Sequence, residues 1–346
     1  MATKIKKVKL ISKIEDVDGN TRPVRDLVDK YYSKLFNESY KLETLKVIED
    51  IVDLKSYSGK EAEFFEAVLS SFDTIIKGNP EELSQIIAEF NKKGFNALLY
   101  DMKANNQTSL GGTVEKIFQY KPFRKSAKAQ WLASNLNIKV CLYCNAHYTL
   151  TLTKRKKALF HFDHFFSKSR YPYLSLSFYN LIPSCSSCNT LKSKKEFTLD
   201  SHVHPYDKDF DEIACFTTND LPVIDYIIHG KKNFKSLKLS LTPRENISKK
   251  EEKQIENHID VFALDEIYKH HRDVVSELYI KAYVYNKERV KELMDLPLFK
   301  SSNEKLLSPE ELGRFLVGNY TLDKDIIKRP LAKLSKDIAK EVGLIK

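Results

Sequence analysis

The sequence predicts an α+β protein that is mainly helical at both ends and carries a small core of short strands between them. Three observations support this fold class. Apolar residues recur at three- and four-residue spacing before about residue 125 and again after residue 248, the periodicity of amphipathic helices. Around residue 140 the pattern changes to short alternating segments. Two C-x-x-C pairs, Cys141 with Cys144 and Cys185 with Cys188, bracket these central segments.

The charge balance favours a polyanionic partner. The 346 residues include 57 Lys plus Arg against 47 Asp plus Glu, a formal net charge of +10. Excess positive charge suits nucleic acid, although a merely soluble basic protein has the same balance. The first ten residues lack the apolar stretch of a secretory signal, and no apolar run reaches about 18 residues. We therefore expect a cytoplasmic protein with no membrane partner.

Residues 1–125 are predicted to form a helical N-terminal region. Pro80 with Glu81 and Glu82 is typical of a first helical turn. The glycines at 111 and 112 are expected to break the pattern before a helical segment that starts at Val114. Residues 4–14 alternate Lys with apolar residues and favour a strand instead. The predicted helices cover residues 22–36, 41–51, 60–76 and 80–90.

Residues 126–210 are predicted to form the central core. Residues 147–153 and 159–165 have strand-like patterns and flank a basic turn at residues 154–157. This arrangement predicts a β-hairpin. A short helix is predicted over residues 188–197, so the order along the chain is hairpin, loop and helix.

The remainder of the chain is predicted in two parts. Residues 211–247 form a connection with a second β-hairpin, whose strands are residues 223–228 and 234–241. Residues 248–346 form a helical C-terminal region, because Ser248 opens an amphipathic stretch with acidic residues in its first turn. His270 and His271 are neighbours on a helix and point about 100° apart, so we do not expect them to share a site.

The two C-x-x-C pairs are predicted to bind one structural zinc ion. Each pair can place two thiolates about 2.3 Å from Zn²⁺, and four thiolates fill the tetrahedral shell. Such a site stabilises the fold but leaves no open position for water. The alternatives are two unrelated pairs or a redox-active pair, but no βαβ pattern surrounds either pair. The fifth cysteine, Cys215, is expected to be a small core residue.

A group of polar residues lies between the two cysteine pairs and continues just beyond them. Asp163 and His164 end a predicted strand, Asn180 follows in the loop, and Asn189 comes directly after Cys188. This run resembles the HNH endonuclease family, whose ββα-metal core carries an Asp-His pair, a middle Asn and a final His or Asn. Zinc-containing members of that family have cysteine pairs in the same places. The resemblance implies a zinc-bound nuclease core that hydrolyses phosphodiester bonds, with DNA as the expected substrate.

The resemblance also implies a role for each residue, and the chemistry agrees with it. His164 would act as the general base on water, because histidine titrates near neutral pH. Asp163 and Asn189 would provide oxygen ligands for a catalytic Mg²⁺ or Mn²⁺. Asn180 would brace the loop that carries His164 through hydrogen bonds to the backbone. His161 lies on the same strand face as Asp163 and is expected to be packed or to support the site.

Basic residues in and beside this core are the candidate nucleic-acid contacts. They would neutralise phosphates in a salt-dependent way, although a charge run is often only a solvated turn. Lys192 and Lys195 lie three apart on the predicted helix and are expected to share one face. Arg170 is also a candidate for stabilising charge in the transition state. The full set is Lys154, Arg155, Lys156, Lys157, Arg170, Lys192 and Lys195.

A narrower resemblance concerns residues 170–185 and 204–207. They are similar to the small HNH nucleases that act with an ATPase in prokaryotic anti-phage defence, the Septu type among them. This similarity implies an ATPase partner protein. Two alternatives stay open, a non-catalytic zinc-dependent nucleic-acid-binding or adaptor subunit and a stand-alone restriction-type endonuclease. The sequence does not distinguish DNA from RNA, or single strands from double strands.

Overall fold

The computed structural model describes residues 13–15, 21–36, 57–193, 195–208, 210–218, 237–295, 300–301, 304–305 and 307–345. The chain divides into two compact units, each drawn from two separate stretches. The first unit comprises Met1–Ile138 and Thr149–Asp209, and the second comprises Lys139–Tyr148 and Phe210–Lys346. Most of the region 126–210 is thus grouped with the helices that precede it. No helix in the described part of the chain is long and apolar enough to cross a membrane.

Helices dominate the N-terminal part of the first unit. The sequence predicts a helix start at Pro80, and a helix begins at this residue. Asn79 accepts hydrogen bonds from the backbone N–H groups of Glu81 and Glu82, and the Glu82 side chain accepts from the Asn79 N–H. The helices are α1 (Val24–Leu35), α2 (Lys60–Ser70), α3 (Phe72–Lys77), α4 (Pro80–Lys92), α5 (Phe95–Leu99), α6 (Ser109–Phe118), α7 (Tyr120–Lys125) and α8 (Ala127–Leu136).

The glycine pair at residues 111 and 112 lies inside α6, so the predicted break at this point is wrong. The helix begins at Ser109, and the Thr108 hydroxyl caps it by accepting a hydrogen bond from the Gly111 N–H at 3.1 Å. A Cβ atom on Gly111 would lie 2.2 Å from the backbone oxygen of Leu99. The glycine therefore permits close packing of α6 on α5 rather than ending a helix.

Three other predictions for residues 1–125 concern two helices and one strand. The predicted helix over residues 60–76 is two helices with a break at Ser71. The helix predicted over residues 41–51 lies outside the described residues, as does most of the strand predicted over residues 4–14. Four short strands form two antiparallel pairs, β1 (Lys13–Glu15) with β2 (Thr21–Pro23) and β3 (Tyr100–Asp101) with β4 (Asn106–Gln107).

The central segment contains two further antiparallel pairs. The basic turn joins β5 (Thr151–Leu152) to β6 (Lys157–Ala158), so the predicted hairpin forms over fewer residues than expected. Strand β7 (His161–His164) does not pair back on residues 147–153. It pairs instead with β8 (Leu181–Ser184), and this register sets Asp163 opposite Ile182.

A short helix follows β8 and completes a ββα arrangement. Helix α9 is Ser186–Lys192, which is shorter than the predicted helix over residues 188–197. It ends because Ser193 adopts a positive φ of 43°. Lys195 therefore lies beyond the helix, and the expectation that it shares a helix face with Lys192 is wrong.

The loop between β7 and β8 is anchored in the helical part of the same unit. It contains two 3-10 turns, Pro172–Leu174 and Phe178–Asn180. The Tyr173 hydroxyl donates to the Asn96 side chain at 3.0 Å, and the Tyr31 hydroxyl of α1 donates to the Leu176 carbonyl at 2.8 Å. The N-terminal helices therefore fix the position of the loop that follows His164.

The second unit combines a two-stranded sheet with helices. Strand β9 (Ala214–Thr218) pairs antiparallel with β10 (Leu239–Pro243), whereas the predicted partner at residues 223–228 lies outside the described residues. Ser248 and Glu251 form a capping box at the start of α11. The helices are α10 (Phe210–Ile213), α11 (Lys249–Phe262), α12 (Leu264–Lys269), α13 (Arg272–Val284), α14 (Lys287–Asp295), α15 (Pro309–Val317) and α16 (Ala332–Glu341), with strands β11 (Lys300–Ser301) and β12 (Glu304–Lys305) also present.

Buried charges accompany the last helix of this unit. Lys333 lies on α16 and is buried, and its ammonium is 2.9 Å from the carboxylates of both Asp211 and Asp337. The Lys336 ammonium also contacts Asp211. Burial opposes ionisation of Asp211, but the two lysines outweigh it and lower the pKa of that carboxyl to about 2. Paired charges of this kind allow a polar helix to pack inside the unit.

Candidate functional site

The four cysteines of the two C-x-x-C pairs are brought together in the fold. Their Sγ atoms all lie within 4.8 Å of one another, and all four side chains are buried. Thiolates around a tetrahedral zinc ion lie about 3.8 Å apart when each zinc–sulfur bond is about 2.3 Å. The cluster therefore has the donor atoms and the spacing that a structural zinc ion requires.

The first cysteine pair lies on a turn held by helices of the second unit. The Cys141 carbonyl accepts a hydrogen bond from the Asn145 N–H at 2.9 Å. The Tyr143 ring stacks on Phe262 of α11 with centroids 4.5 Å apart. The hydroxyl of Tyr268, on α12, donates to the Cys144 carbonyl at 2.6 Å. These contacts hold the turn that carries both thiols.

The second cysteine pair is set by the start of α9. Cys185 is the N-cap residue, and its Sγ accepts a hydrogen bond from the Cys188 N–H at 3.4 Å. A helix N-terminus favours the charged thiolate, which is the form that binds metal. Asn189 follows on the same helix, so the capped helix start places this residue as well.

His164 ends β7 and is buried. Its Nε2 lies 3.0 Å from the Ser175 carbonyl oxygen, which can only accept, so Nε2 carries the hydrogen and the lone pair of the neutral ring is on Nδ1. Burial lowers the pKa of His164 to about 3, and the hydrogen bond to Ser175 opposes this shift. The imidazole is therefore neutral near pH 7, which is the state that a general base needs.

Asp163 is paired with a buried lysine. The Lys192 ammonium lies 3.1 Å from Oδ2 of Asp163 and 2.5 Å from the backbone oxygen of His164. Only 2% of Lys192 is exposed, and burial lowers its pKa while Asp163 opposes the change. The sequence analysis predicts that Lys192 contacts nucleic acid from a helix face shared with Lys195. The structure turns this side chain inward instead, where a carboxylate compensates its charge.

Asn180 is fully buried at the end of the loop that follows His164. Its Oδ1 accepts a hydrogen bond from the Phe166 N–H at 2.7 Å. Its Nδ2 donates to the carbonyls of Phe166, at 3.1 Å, and Leu174, at 3.0 Å. These three bonds join the first part of the loop to its end, the geometry that a bracing side chain requires.

Asn189 is half-buried on α9, which packs against β7. The helix and strand thereby bring Asn189 and Asp163 onto neighbouring elements of the ββα segment. A carboxylate and an amide oxygen are hard donors, and together they fit Mg²⁺ or Mn²⁺ better than zinc. The donor chemistry of the two residues therefore suits the divalent ion that an HNH site uses.

Two residues of α7 shape the site and were missed by sequence reasoning. The Tyr120 ring meets the His164 ring edge-on with centroids 4.3 Å apart, and its hydroxyl donates to the Phe162 carbonyl at 2.8 Å. An Arg124 nitrogen lies 3.2 Å from Nδ1 of His161. Burial and Arg124 lower the pKa of His161. No motif marks either residue, because only folding brings α7 to β7.

The other candidate nucleic-acid contacts have different surroundings. Residues 154–156 are exposed on the turn between β5 and β6, and Lys157, the first residue of β6, is exposed as well. Lys195 is exposed beyond α9. Arg170 is mostly buried and lies 2.5 Å from a carboxylate oxygen of Glu196. This exposed segment is thus the part of the set that presents several cations to solvent together.

Comparison with known proteins agrees with this geometry. Residues 141–195 match the family model described as HNH endonuclease, a range that includes the four cysteines and the ββα segment. No curated protein and no solved structure matches the chain. The chain therefore carries an HNH endonuclease domain with a buried four-cysteine cluster, and this domain supports a nuclease-type function acting on nucleic acid.

Proposed function

We propose that the protein is a metal-dependent endonuclease that hydrolyses phosphodiester bonds of DNA, with His164 as the general base. One observation carries the proposal. Within the HNH domain, the strand that presents Asp163 ends in a neutral histidine, and the Nε2 atom of that histidine is fixed by a backbone carbonyl. This arrangement reserves Nδ1 for proton transfer.

In this reaction His164 takes a proton from the attacking water. The lone pair on Nδ1 accepts the proton, and the ring becomes an imidazolium. The hydrogen bond from Nε2–H to the Ser175 carbonyl then strengthens, because its donor has become charged. Asn180 holds the loop that carries this carbonyl, so it acts on the base through Ser175 rather than on the substrate.

A divalent metal ion, when bound, stabilises negative charge on the phosphate and on the leaving 3′-oxygen. Asp163 and Asn189 would hold this ion, because they offer hard oxygen donors on adjacent strand and helix. The four cysteines would hold zinc separately, since thiolates favour zinc and oxygen donors favour magnesium or manganese. The two kinds of site therefore serve different purposes in one domain.

A cleavage assay over several substrates tests the proposal. Purified protein is incubated with double-stranded DNA, single-stranded DNA and RNA, each with Mg²⁺, Mn²⁺ or a chelator. We expect cleavage of DNA that requires the metal and is lost in His164→Ala. Binding without cleavage under all metals would instead favour the non-catalytic binding subunit. Sequence-specific cutting by the protein alone would favour the stand-alone restriction-type enzyme.

We further propose that this nuclease acts with an ATPase partner protein in anti-phage defence. The support is the similarity of residues 170–185 and 204–207 to defence nucleases. Cells that express the protein with the ATPase encoded beside it, where one is present, are challenged with phage. We expect protection to need both proteins and to disappear in His164→Ala. Protection by the nuclease variant would argue against this role.

A further inference from the structure

We propose that Lys192 is a positioning residue of the nuclease site: its ammonium is a resident cation that holds the Asp163 carboxylate and the backbone of His164 in place. Lys192 would then not contact substrate phosphate. The inference deepens the proposed function and rests on it, because it assigns a role within the same site. It also gives a physical reason for a lysine at the end of α9.

The Lys192 ammonium contacts both residues that it is proposed to hold in place. Its nitrogen lies 3.1 Å from Oδ2 of Asp163 and 2.5 Å from the carbonyl oxygen of His164. One cation thus bridges the side chain of the expected metal ligand and the main chain of the expected base. Because Asp163 and His164 are adjacent on β7, the one ammonium can hold both residues.

Lys192 and Asp163 are both buried. Lys192 is 2% exposed and Asp163 is 7% exposed. A buried carboxylate without a compensating charge is strongly disfavoured, so Asp163 needs a cation even when no metal is bound. The ammonium also lies over the Phe197 ring, 4.8 Å from its centroid. A side chain enclosed in this way cannot reach a phosphate without leaving both oxygen partners.

The direction in which metal affinity changes when Lys192 is removed distinguishes a positioning role from other roles. With Lys192 present, a divalent ion at Asp163 shares the carboxylate with an ammonium and is repelled by its charge. Without Lys192 the carboxylate is buried and uncompensated, so a divalent ion should bind more tightly. The carboxylate and the base are then less well oriented, so cleavage should slow. A general loss of structure would weaken both properties.

The first experiment uses K192M with K92M as the matched control. Lys92 also ends its helix, α4, but is exposed and far from the site in sequence. Mn²⁺ binding is measured by electron paramagnetic resonance on full-length protein without nucleic acid. We expect K192M to bind Mn²⁺ about tenfold more tightly and to cleave about 100-fold more slowly, with unchanged salt dependence of DNA binding. K92M should match the wild type in all three.

The opposite result would assign a different role to Lys192. Wild-type Mn²⁺ affinity and cleavage in K192M, together with a flatter salt dependence of DNA binding, would identify Lys192 as a phosphate contact and overturn the proposal. If the wild-type protein cleaves no nucleic acid with any metal, the proposed function fails. The Mn²⁺ measurement still tests the pairing of Lys192 with Asp163 in that case.

A second measurement does not depend on activity. The free energy of unfolding is compared for the wild type, K192M, D163N and the double variant. We expect K192M to destabilise the protein strongly when Asp163 is present and much less in the D163N background, because the uncompensated charge is then absent. Failure of K192M to fold while the double variant folds would give the same support. Additive effects of the two substitutions would overturn the proposal.

Discussion

The Nε2 atom of His164 lies 3.0 Å from the carbonyl oxygen of Ser175, and this contact links the proposed base to the loop that follows it. The loop is held in turn by Asn180 and by the N-terminal helices. The orientation of one imidazole therefore depends on packing well outside the ββα segment. The helices of the first unit therefore contribute to the placement of His164.

His164→Ala should abolish cleavage while folding and zinc content stay intact. In the proposed mechanism this side chain transfers the proton, and loss of a general base typically costs about 100- to 10,000-fold in rate. Cleavage rates and metal content of the purified variant are compared with the wild type. His204→Asn is the control, because His204 is also buried but bonds to the Tyr206 N–H instead. Wild-type cleavage by His164→Ala would remove His164 from the mechanism.

Asp163→Ala and Asn189→Ala should each raise the concentration of Mg²⁺ or Mn²⁺ needed for cleavage, or eliminate cleavage. Each substitution removes one of the few protein ligands that we propose for the catalytic ion. Cleavage is followed across a metal titration for both variants. Titration curves that coincide with the wild type would exclude these residues as the metal ligands. Zinc content should remain unchanged in both variants, because the cysteines are not affected.

Replacement of Lys154, Arg155 and Lys156 by Ala should weaken binding to many sequences alike. Each lost phosphate contact lowers the slope of log affinity against log salt by about 0.9 for duplex DNA. The slope is measured with the cleavage-deficient His164→Ala protein. Lys103→Ala, on an exposed turn elsewhere in the same unit, is the control. An unaltered slope would mean that the turn between β5 and β6 does not contact phosphate.

One zinc ion per chain should be bound by the four cysteines and resist exchange. Cys185→Ser should lose this ion and destabilise the domain, because the crosslink that fixes the start of α9 is removed. Cys215→Ser is the control, since Cys215 is half-buried on β9 and outside the cluster. Metal analysis by mass spectrometry is made on protein purified without added zinc. A metal-free, fully folded wild-type protein would contradict the prediction.

Stability should fall as the pH falls below about 6.5. Burial lowers the pKa of both His164 and His204 to about 3, whereas an unfolded histidine titrates near 6.5. In this window the unfolded chain binds protons that the folded chain excludes. Each histidine should therefore remove about 2 kcal/mol from the free energy of unfolding between pH 7 and pH 5.

His204→Asn isolates one of these two contributions. Asparagine can still accept from the Tyr206 N–H but does not titrate, so the loss of stability between pH 7 and pH 5 should be about 2 kcal/mol smaller than in the wild type. Urea unfolding at the two pH values gives the comparison. Equal losses in variant and wild type would show that His204 does not titrate on unfolding.

Features that depend on residues close together in the sequence, such as helix starts, are predicted well. Helices begin at Pro80 and directly after Ser248, as the sequence predicts, and both starts carry a capping box whose donor and acceptor lie within three residues of each other. The four cysteines converge as their spacing indicated. The partner of β7 was not predicted, because alternation along a strand identifies its faces but not the strand that pairs with it. Gly111 was misread for a similar reason, since its neighbour Leu99 belongs to another helix.

The amino-acid sequence is sufficient to identify the chemical groups of this protein: an Asp-His pair, two asparagines, four thiols and a basic turn in the order of an HNH domain. Which of the charged groups face one another depends on the folded chain. Lys192 has the same charge as Lys195, but burial places the first against Asp163 and leaves the second in solvent. The physical reason is that the environment of a charge depends on long-range packing, which no short motif encodes.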